Sequence, residues 1–77
     1  MPRITRVARV ETNFGTRYWW VDTDRGERRF ALREPGRNVT WLSPTRVILR
    51  DTMGNRFEIL ESDALDSRSR RLIQSVL

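Results

Sequence analysis

The chain has 77 residues, 38% of them hydrophobic and 32% charged, with a formal net charge of +5. A chain of this length forms one small domain, here residues 1–77, which buries only about 60% of the surface exposed by its unfolded state. It has no cysteine and no histidine, which excludes disulfides, His/Cys zinc sites and the Ser-His-Asp and Cys-His catalytic arrangements.

The N-terminal segment, Pro2 to Glu11, is predicted to be an edge strand. Its apolar residues Ile4, Val7 and Val10 recur at every third position, a spacing that by itself suits a helix. The β-branched content and the turn-forming residues 13–15 that follow favour a strand. A β-bulge within the strand reconciles the two observations.

Residues 16–33 predict a first hairpin, with strands Thr16–Thr23 and Glu27–Arg33 joined through Asp24-Arg25-Gly26. With a three-residue turn, Trp20 pairs with Phe30, and the core face carries four residues: Tyr18, Trp20, Phe30 and Leu32. The opposite face then carries Arg17, Trp19, Val21, Arg29, Ala31 and Arg33. The alternative is a two-residue Arg25-Gly26 loop, which moves Trp19 and Val21 into the core.

After a loop at Glu34–Asn38, the short apolar segment Val39–Leu42 is either a strand fragment or a single turn, and Pro44 ends it. We expect Trp41 and Leu42 to fill the space between the two hairpins.

A second hairpin is predicted over Thr45–Leu60, where two apolar runs flank the turn residues 51–55. If Gly54 is the left-handed residue of a type I turn with a G1 bulge, Arg50 faces Arg56. The core face of this hairpin is then Val47, Leu49, Phe57 and Ile59.

The segment Glu61–Leu77 changes to a helical period. Ser62 and Asp66 are both candidate N-caps. The helix has an apolar stripe formed by Leu65, Leu72, Ile73, Val76 and Leu77. It has no C-capping glycine and ends on an apolar residue, which suggests that the chain is a fragment of a longer one, the alternative being a frayed terminus.

Together these elements predict an α+β fold. We expect a small, twisted, mostly antiparallel sheet of four to five strands, made of two hairpins and the N-terminal strand, with one C-terminal helix covering it.

Catalysis is not expected from this sequence. Two closely spaced carboxylate pairs, Asp22 with Asp24 and Asp63 with Asp66, could in principle do acid–base chemistry. Turn formation and helix capping account for both pairs better. With no glycine-rich phosphate loop and no metal-ligand spacing, we expect no enzyme activity, no cofactor and no metal.

The arginines suggest a recognition surface. All fifteen basic residues are arginine, either for bidentate recognition or because the host genome favours arginine codons. In the preferred register Trp19 lies exposed among arginines, and the predicted partner-binding face is Arg17, Trp19, Arg29, Arg33, Arg50 and Arg56. An arginine-ringed aromatic is typical of single-stranded nucleic-acid binders. Alternatively, these arginines pair with Glu58, Asp51 and Asp22.

Several segments together resemble a known bacterial family from about Val10 onward. They are Tyr18–Gly26 (YWWVDTDRG), Leu42–Val47 (LSPTRV), Asp51–Ile59 (DTMGNRFEI) and Ala64–Leu72 (ALDSRSRRL). The family is a domain of unknown function, found as small proteins near cyanophycin-metabolism genes and as the C-terminal extension of some ABC transporters. The resemblance implies an accessory domain beside a transporter or a metabolic enzyme.

We therefore predict a non-catalytic accessory domain that binds a protein, with a nucleic-acid-binding module as the alternative. No apolar run approaches the ~20 residues of a membrane span, and no signal peptide is evident. We expect a cytoplasmic domain, which a parent transporter would tether to the membrane. The oligomeric state and the identity of the partner are left open by the sequence.

Overall fold

The computed structural model describes all residues, 1–77, and contains two three-stranded antiparallel sheets and a C-terminal helix. Sheet 1 consists of β1 (Ile4–Asn13), β2 (Thr16–Thr23) and β3 (Gly26–Leu32), and sheet 2 of β4 (Val39–Trp41), β5 (Val47–Arg50) and β6 (Arg56–Ile59). A short helix α1 (Pro35–Asn38) joins the sheets, and a 3-10 turn (Ser62–Ala64) precedes helix α2 (Ser67–Val76). The predicted α+β class is confirmed, with the strands divided between two sheets.

Strand β1 is an edge strand with two irregularities, as its sequence predicts. Its pairing with β2 shifts register between Ile4 and Arg6 and again between Val7 and Arg9. These shifts let residues spaced by three point toward one side, so Ile4 and Val7 are both buried and Val10 packs against the core. The turn to β2 is the pair Phe14-Gly15, both with positive φ.

The predicted register of the first hairpin is wrong. Thr23 pairs with Gly26, so the loop is Asp24-Arg25, and Trp19 lies opposite Phe30. The Thr23 hydroxyl accepts a hydrogen bond from the Arg25 N–H and donates one to the Gly26 carbonyl, which closes this two-residue turn. The alternative prediction, an Arg25-Gly26 loop, lies one residue later in the chain than the observed loop. Its consequence is nevertheless what the structure shows, since Trp19 and Val21 are in the core.

The second hairpin has the predicted register. Leu49 pairs with Phe57 and Arg50 with Arg56, and all four predicted core residues are buried: Val47, Leu49, Phe57 and Ile59. Gly54 has the expected left-handed conformation, with φ +85°. The buried Asp51 carboxylate accepts hydrogen bonds from the main-chain N–H groups of Met53 and Asn55 and fixes the turn.

The core lies between the two sheets and draws on both of them. Its eleven buried apolar residues are Ile4, Val7, Trp19, Val21, Phe30, Leu32, Val47, Leu49, Phe57, Ile59 and Ile73. Three aromatic rings form its centre: Trp19 stacks on Phe30 at a centroid distance of 5.7 Å, and Phe30 stacks on Phe57 at 4.3 Å. Because Phe57 belongs to sheet 2, this stack joins the sheets.

Main-chain hydrogen bonds also connect the sheets at two places. Near the N-terminus, Arg3 forms a parallel bridge with Glu58, whose N–H donates to the Pro2 carbonyl at 2.9 Å. At the far edge of sheet 1, the Thr52 N–H donates to the Ala31 carbonyl at 3.0 Å. The unpaired main-chain groups of both sheet edges are thereby partly satisfied within the molecule.

Helix α2 packs against β1. Asp66 is its N-cap and accepts a hydrogen bond from the Ser69 N–H, whereas the other candidate cap, Ser62, begins the 3-10 turn. Ile73 is buried in the core, and the other four residues of the predicted stripe, Leu65, Leu72, Val76 and Leu77, pack partly buried against it. No helix in the molecule is both long enough and apolar enough to cross a lipid bilayer.

The segment 39–41 is a strand, which settles one open alternative, but the expectation for Trp41 and Leu42 is wrong. Their exposed fractions are 46% and 52%. The stacked rings of Trp19, Phe30 and Phe57 already occupy the space between the sheets, and β4 is an edge strand. Trp41 and Leu42 therefore lie at the periphery.

Candidate recognition surfaces

Trp19 cannot belong to a recognition face, which corrects the prediction. Its exposed fraction is 0%, and its indole N–H is buried without a hydrogen-bond partner. Arg17 pairs with the fully buried Leu32, so it lies half-buried at the rim of the same core-facing side. The physical reason is the register of the first hairpin, which turns the side with Trp19 inward.

The opposite, outer side of sheet 1 carries two other aromatic residues of the central strand. Trp20 lies between Arg9 of β1 and Arg29 of β3, its direct partners across the two strand pairs. The guanidinium carbon of Arg9 is 4.9 Å from the centroid of the Trp20 ring, a cation–π geometry. Tyr18 lies two residues before Trp20 on the same side of β2, and its side chain is 37% exposed. We call Arg9, Tyr18, Trp20 and Arg29 the aromatic face.

Charges of both signs surround the aromatic face. Arg6 donates to the Asp22 carboxylate at 2.9 Å, and Arg9 forms an ion pair with Glu11. Trp20 lines a shallow cleft of about 450 Å³. The other residues that line this cleft are Arg6, Ala8, Val21, Asp22, Glu27, Arg28 and Arg29. Arg29, the one predicted site residue on this face, has no carboxylate within ion-pair distance.

The remaining predicted site residues lie elsewhere, Arg50 and Arg56 on sheet 2 and Arg33 directly after β3. Arg50 and Arg56 face each other across β5 and β6 on the side away from the core, and Arg33 lines a cleft that Arg50 also lines. Arg37, which the sequence did not single out, joins them there. We call Arg33, Arg37, Arg50 and Arg56 the arginine cluster. The predicted single face is therefore divided between two surfaces, which adjoin where Arg29 and Arg56 line one cleft.

The acids proposed as alternative partners of these arginines have other contacts. Glu58 binds Arg46 at 2.7 Å and Arg3 at 3.4 Å, Asp22 binds Arg6, and Asp51 accepts from its own turn. The Glu58 side chain is only 8% exposed, and its hydrogen bonds from Arg46 hold its pKa below the ordinary value of 4.5. Sequence reasoning missed this buried ion pair, because Glu58 occupies an outward position in the strand alternation.

The two spaced carboxylate pairs have structural contacts as well. Asp24 accepts a hydrogen bond from the Arg3 N–H at 2.8 Å. Asp66 caps helix α2, and hydrogen bonds from Ser69 keep its pKa below the ordinary value of 3.8. The contact of Asp66 is the capping role expected from the sequence, whereas Asp24 binds the main chain of the N-terminal segment and not its own turn.

The fold and its surfaces define a class: a small α+β domain in which two antiparallel sheets enclose an aromatic core and expose arginine-rich outer faces. A family model described as "Domain of unknown function (DUF1854)" matches residues 1–76, and the chain belongs to this family. The resemblance to a domain of unknown function is thus confirmed and extends over almost the whole chain. Comparison with curated proteins and comparison with solved structures gave no match.

Proposed function

We propose that this chain is a non-catalytic accessory domain that binds a protein partner through the aromatic face. The observation that carries the proposal is the placement of Trp20 on the outer side of the central strand, between Arg9 and Arg29. Tryptophan, tyrosine and arginine are the residues most enriched at the energetic centres of protein interfaces. A rigid three-stranded sheet holds them without a large loss of side-chain freedom on binding.

The charge pattern favours a protein over a nucleic acid at this face. Glu11, Asp22 and Glu27 lie among the arginines around Trp20, as strand partners or cleft-lining residues. Carboxylates repel a phosphate backbone, whereas a protein surface can offer complementary charges of both signs. The nucleic-acid alternative has in its favour the spacing of Tyr18 and Trp20, because stacking platforms use aromatics on one sheet face.

The family resemblance supports a particular setting for this binding. Domains of this kind accompany ABC transporters and cyanophycin-metabolism enzymes, so the partner is a parent transporter or such an enzyme. The domain then works in the cytoplasm, tethered to the membrane where the parent is a transporter. This setting explains why a small domain would keep an aromatic side chain such as Tyr18 accessible on its central strand.

The experiment is a binding titration of the purified domain against the transporters and cyanophycin-metabolism enzymes of the same organism, at low and high salt. We expect saturable binding that persists at high salt. Trp20→Ala should weaken it by about 2 kcal/mol or more, roughly thirtyfold, because the central anchor is removed. Trp41→Ala, which removes an exposed tryptophan from sheet 2, is the matched control and should bind normally.

Two results would overturn the proposal. Equal weakening by Trp20→Ala and Trp41→Ala would show that the aromatic face is not the binding surface. Binding of single-stranded DNA or RNA that falls steeply with salt and is lost in Trp20→Ala would establish the nucleic-acid alternative instead.

A further inference from the structure

We propose that the arginine cluster is a binding site for a small, multiply charged phosphate ligand. The site lies between helix α1 and the β5–β6 turn. It adjoins the aromatic face where Arg56 and Arg29 line one cleft, but Trp20 lines none of the clefts formed by the cluster. It is formed by Arg33, Arg37, Arg50 and Arg56, which come from the residue after β3, from α1 and from both strands of the second hairpin.

The guanidinium groups of this cluster lack acidic partners. Arg33, Arg50 and Arg56 form no ion pair, and Arg37 has only a long contact of 3.4 Å with the exposed Glu34. Arg6 and Arg46 do bind carboxylates, whereas Arg29 and Arg71 are also unpaired. What distinguishes the cluster is that its four arginines line two adjoining clefts. The cluster therefore concentrates uncompensated positive charge in one region of the surface.

The pairing of Arg50 with Arg56 adds a second argument. They are directly opposite each other across β5 and β6 and lie on the same side of the sheet. Like charges in this arrangement destabilise a strand pair. A bound anion between them would convert the repulsion into attraction, since each guanidinium presents a fork of N–H donors that matches phosphate oxygens.

The shape of the surface suits a ligand of limited size. Arg33, Arg37 and Arg50 line a cleft of about 530 Å³ that contains no hydrophobic residue. Arg37 and Arg50 also line an adjoining cleft of about 290 Å³, together with Arg56. The combined space matches small-molecule sites, which are commonly about 300–1,000 Å³. The larger cleft has an all-polar lining, and Ile48 is the one hydrophobic residue of the smaller cleft, so the surface selects a ligand that is charged over most of its own surface.

The acids of the cleft do not neutralise it. Both oxygens of Asp51 already accept hydrogen bonds within the β5–β6 turn, from main-chain N–H groups and from the Asn55 side chain. Arg33 is held in place by its Nε–H, which donates to the Thr16 hydroxyl at 2.9 Å, and its terminal nitrogens keep donors for a ligand. The four guanidinium groups of the cluster outnumber the two carboxylates of the cleft, Glu34 and Asp51. This excess of positive charge favours a ligand with several negative charges.

The experiment is calorimetric titration of the full chain with tripolyphosphate, and thermal unfolding with and without it. We expect saturable binding and a raised unfolding midpoint, because the ligand binds only the folded state. Arg50→Gln and Arg56→Gln should each lower the affinity at least about tenfold. Without ligand, these variants should be as stable as the parent chain or more stable, since the cross-strand repulsion is removed.

The matched control is Arg71→Gln, which removes the same charge from an exposed, unpaired arginine of α2. It should bind tripolyphosphate like the parent chain, and so should Trp20→Ala, which separates this proposal from the proposed function. An equal loss in Arg71→Gln would mean non-specific attraction and would overturn the proposal. Binding of single-stranded DNA or of phosphatidylglycerol vesicles without binding of tripolyphosphate would overturn it too.

Discussion

Ser69 shows how one small polar side chain can join two elements. Its hydroxyl oxygen accepts a hydrogen bond from the N–H of Val7 at 2.9 Å and lies within reach of the Val7 carbonyl and the Asp66 carboxylate. Val7 lies on the edge strand of sheet 1, where its main-chain groups would otherwise be buried without partners. Ser69 is itself completely buried, and it attaches helix α2 to β1.

Ser69→Ala should lower the free energy of unfolding by about 1–3 kcal/mol, because it leaves the buried Val7 N–H without an acceptor. Urea denaturation followed by tryptophan fluorescence measures this change. Ser75→Ala is the matched control: its exposed hydroxyl donates to the Leu72 carbonyl, and its loss should change stability by no more than about 0.5 kcal/mol. Similar values for the two variants would contradict the role assigned to Ser69.

At the scale of the element, the second hairpin depends on its turn. The Asp51 carboxylate holds the turn through the N–H groups of Met53 and Asn55, and the Gly54 N–H donates to the Asp51 carbonyl at 3.1 Å. Gly54 has a left-handed backbone conformation, and a Cβ added to it would meet no atom within 4 Å. Backbone strain is therefore the only obstacle to a side chain at this position. The turn thus determines the register that puts Leu49 opposite Phe57.

Gly54→Ala should cost about 1–2 kcal/mol of unfolding free energy, because an L-residue with a Cβ is disfavoured in the left-handed conformation. Gly36→Ala, in α1, also meets no neighbouring atom but has no positive φ, so it should be neutral or slightly stabilising. Chemical denaturation of both variants gives the comparison. If Gly36→Ala destabilised the chain as much as Gly54→Ala did, strain at the turn would not be the explanation.

At the scale of the whole molecule, Glu58 connects the N-terminal segment to sheet 2. Its N–H donates to the Pro2 carbonyl, and its carboxylate binds Arg3 and Arg46 from two different parts of the chain. These contacts favour the ionised carboxylate, which is why its pKa is lowered in the folded state. The connection between the sheets is consequently sensitive to pH.

We expect stability to be constant near neutral pH and to fall as the pH drops below about 5. A carboxyl with a folded-state pKa under its ordinary value, 4.5 for Glu58 and 3.8 for Asp66, stabilises the fold only while it is ionised. That contribution is full above the ordinary values and disappears as the pH falls through the lowered ones. Thermal unfolding between pH 3 and 7 (roughly the range in which carboxyls titrate) measures the effect.

Glu58→Gln supplies the control for this pH dependence. It keeps the shape of the side chain and one acceptor oxygen but removes the negative charge. It should cost about 1–3 kcal/mol at pH 7, because the ion pairs with Arg46 and Arg3 become weaker hydrogen bonds to a neutral amide. Its unfolding midpoint should also depend less on pH than that of the parent chain. An unchanged pH profile in Glu58→Gln would assign the acid sensitivity to other carboxyls.

What the sequence by itself determined were the features that depend on near neighbours. The turn residues Asp51–Asn55 and the apolar alternation beside them set the second hairpin, because its turn hydrogen bonds close within a few residues. For the start of helix α2 the sequence left two candidate caps, Ser62 and Asp66, and the structure selects Asp66. Family membership could likewise be inferred from the segments themselves.

Only the tertiary structure decided the rest. Local turn rules allowed two registers for the first hairpin, and the observed one, with the loop Asp24-Arg25, is neither of them. The stack of Trp19 with Phe30 and Phe57 between the two sheets selects the side that is buried. The division into two sheets and the meeting of Arg33 with Arg50 depend on contacts between residues far apart in the chain. Such contacts are set by the packing of complementary surfaces, which neither local propensity nor hydrophobic period encodes.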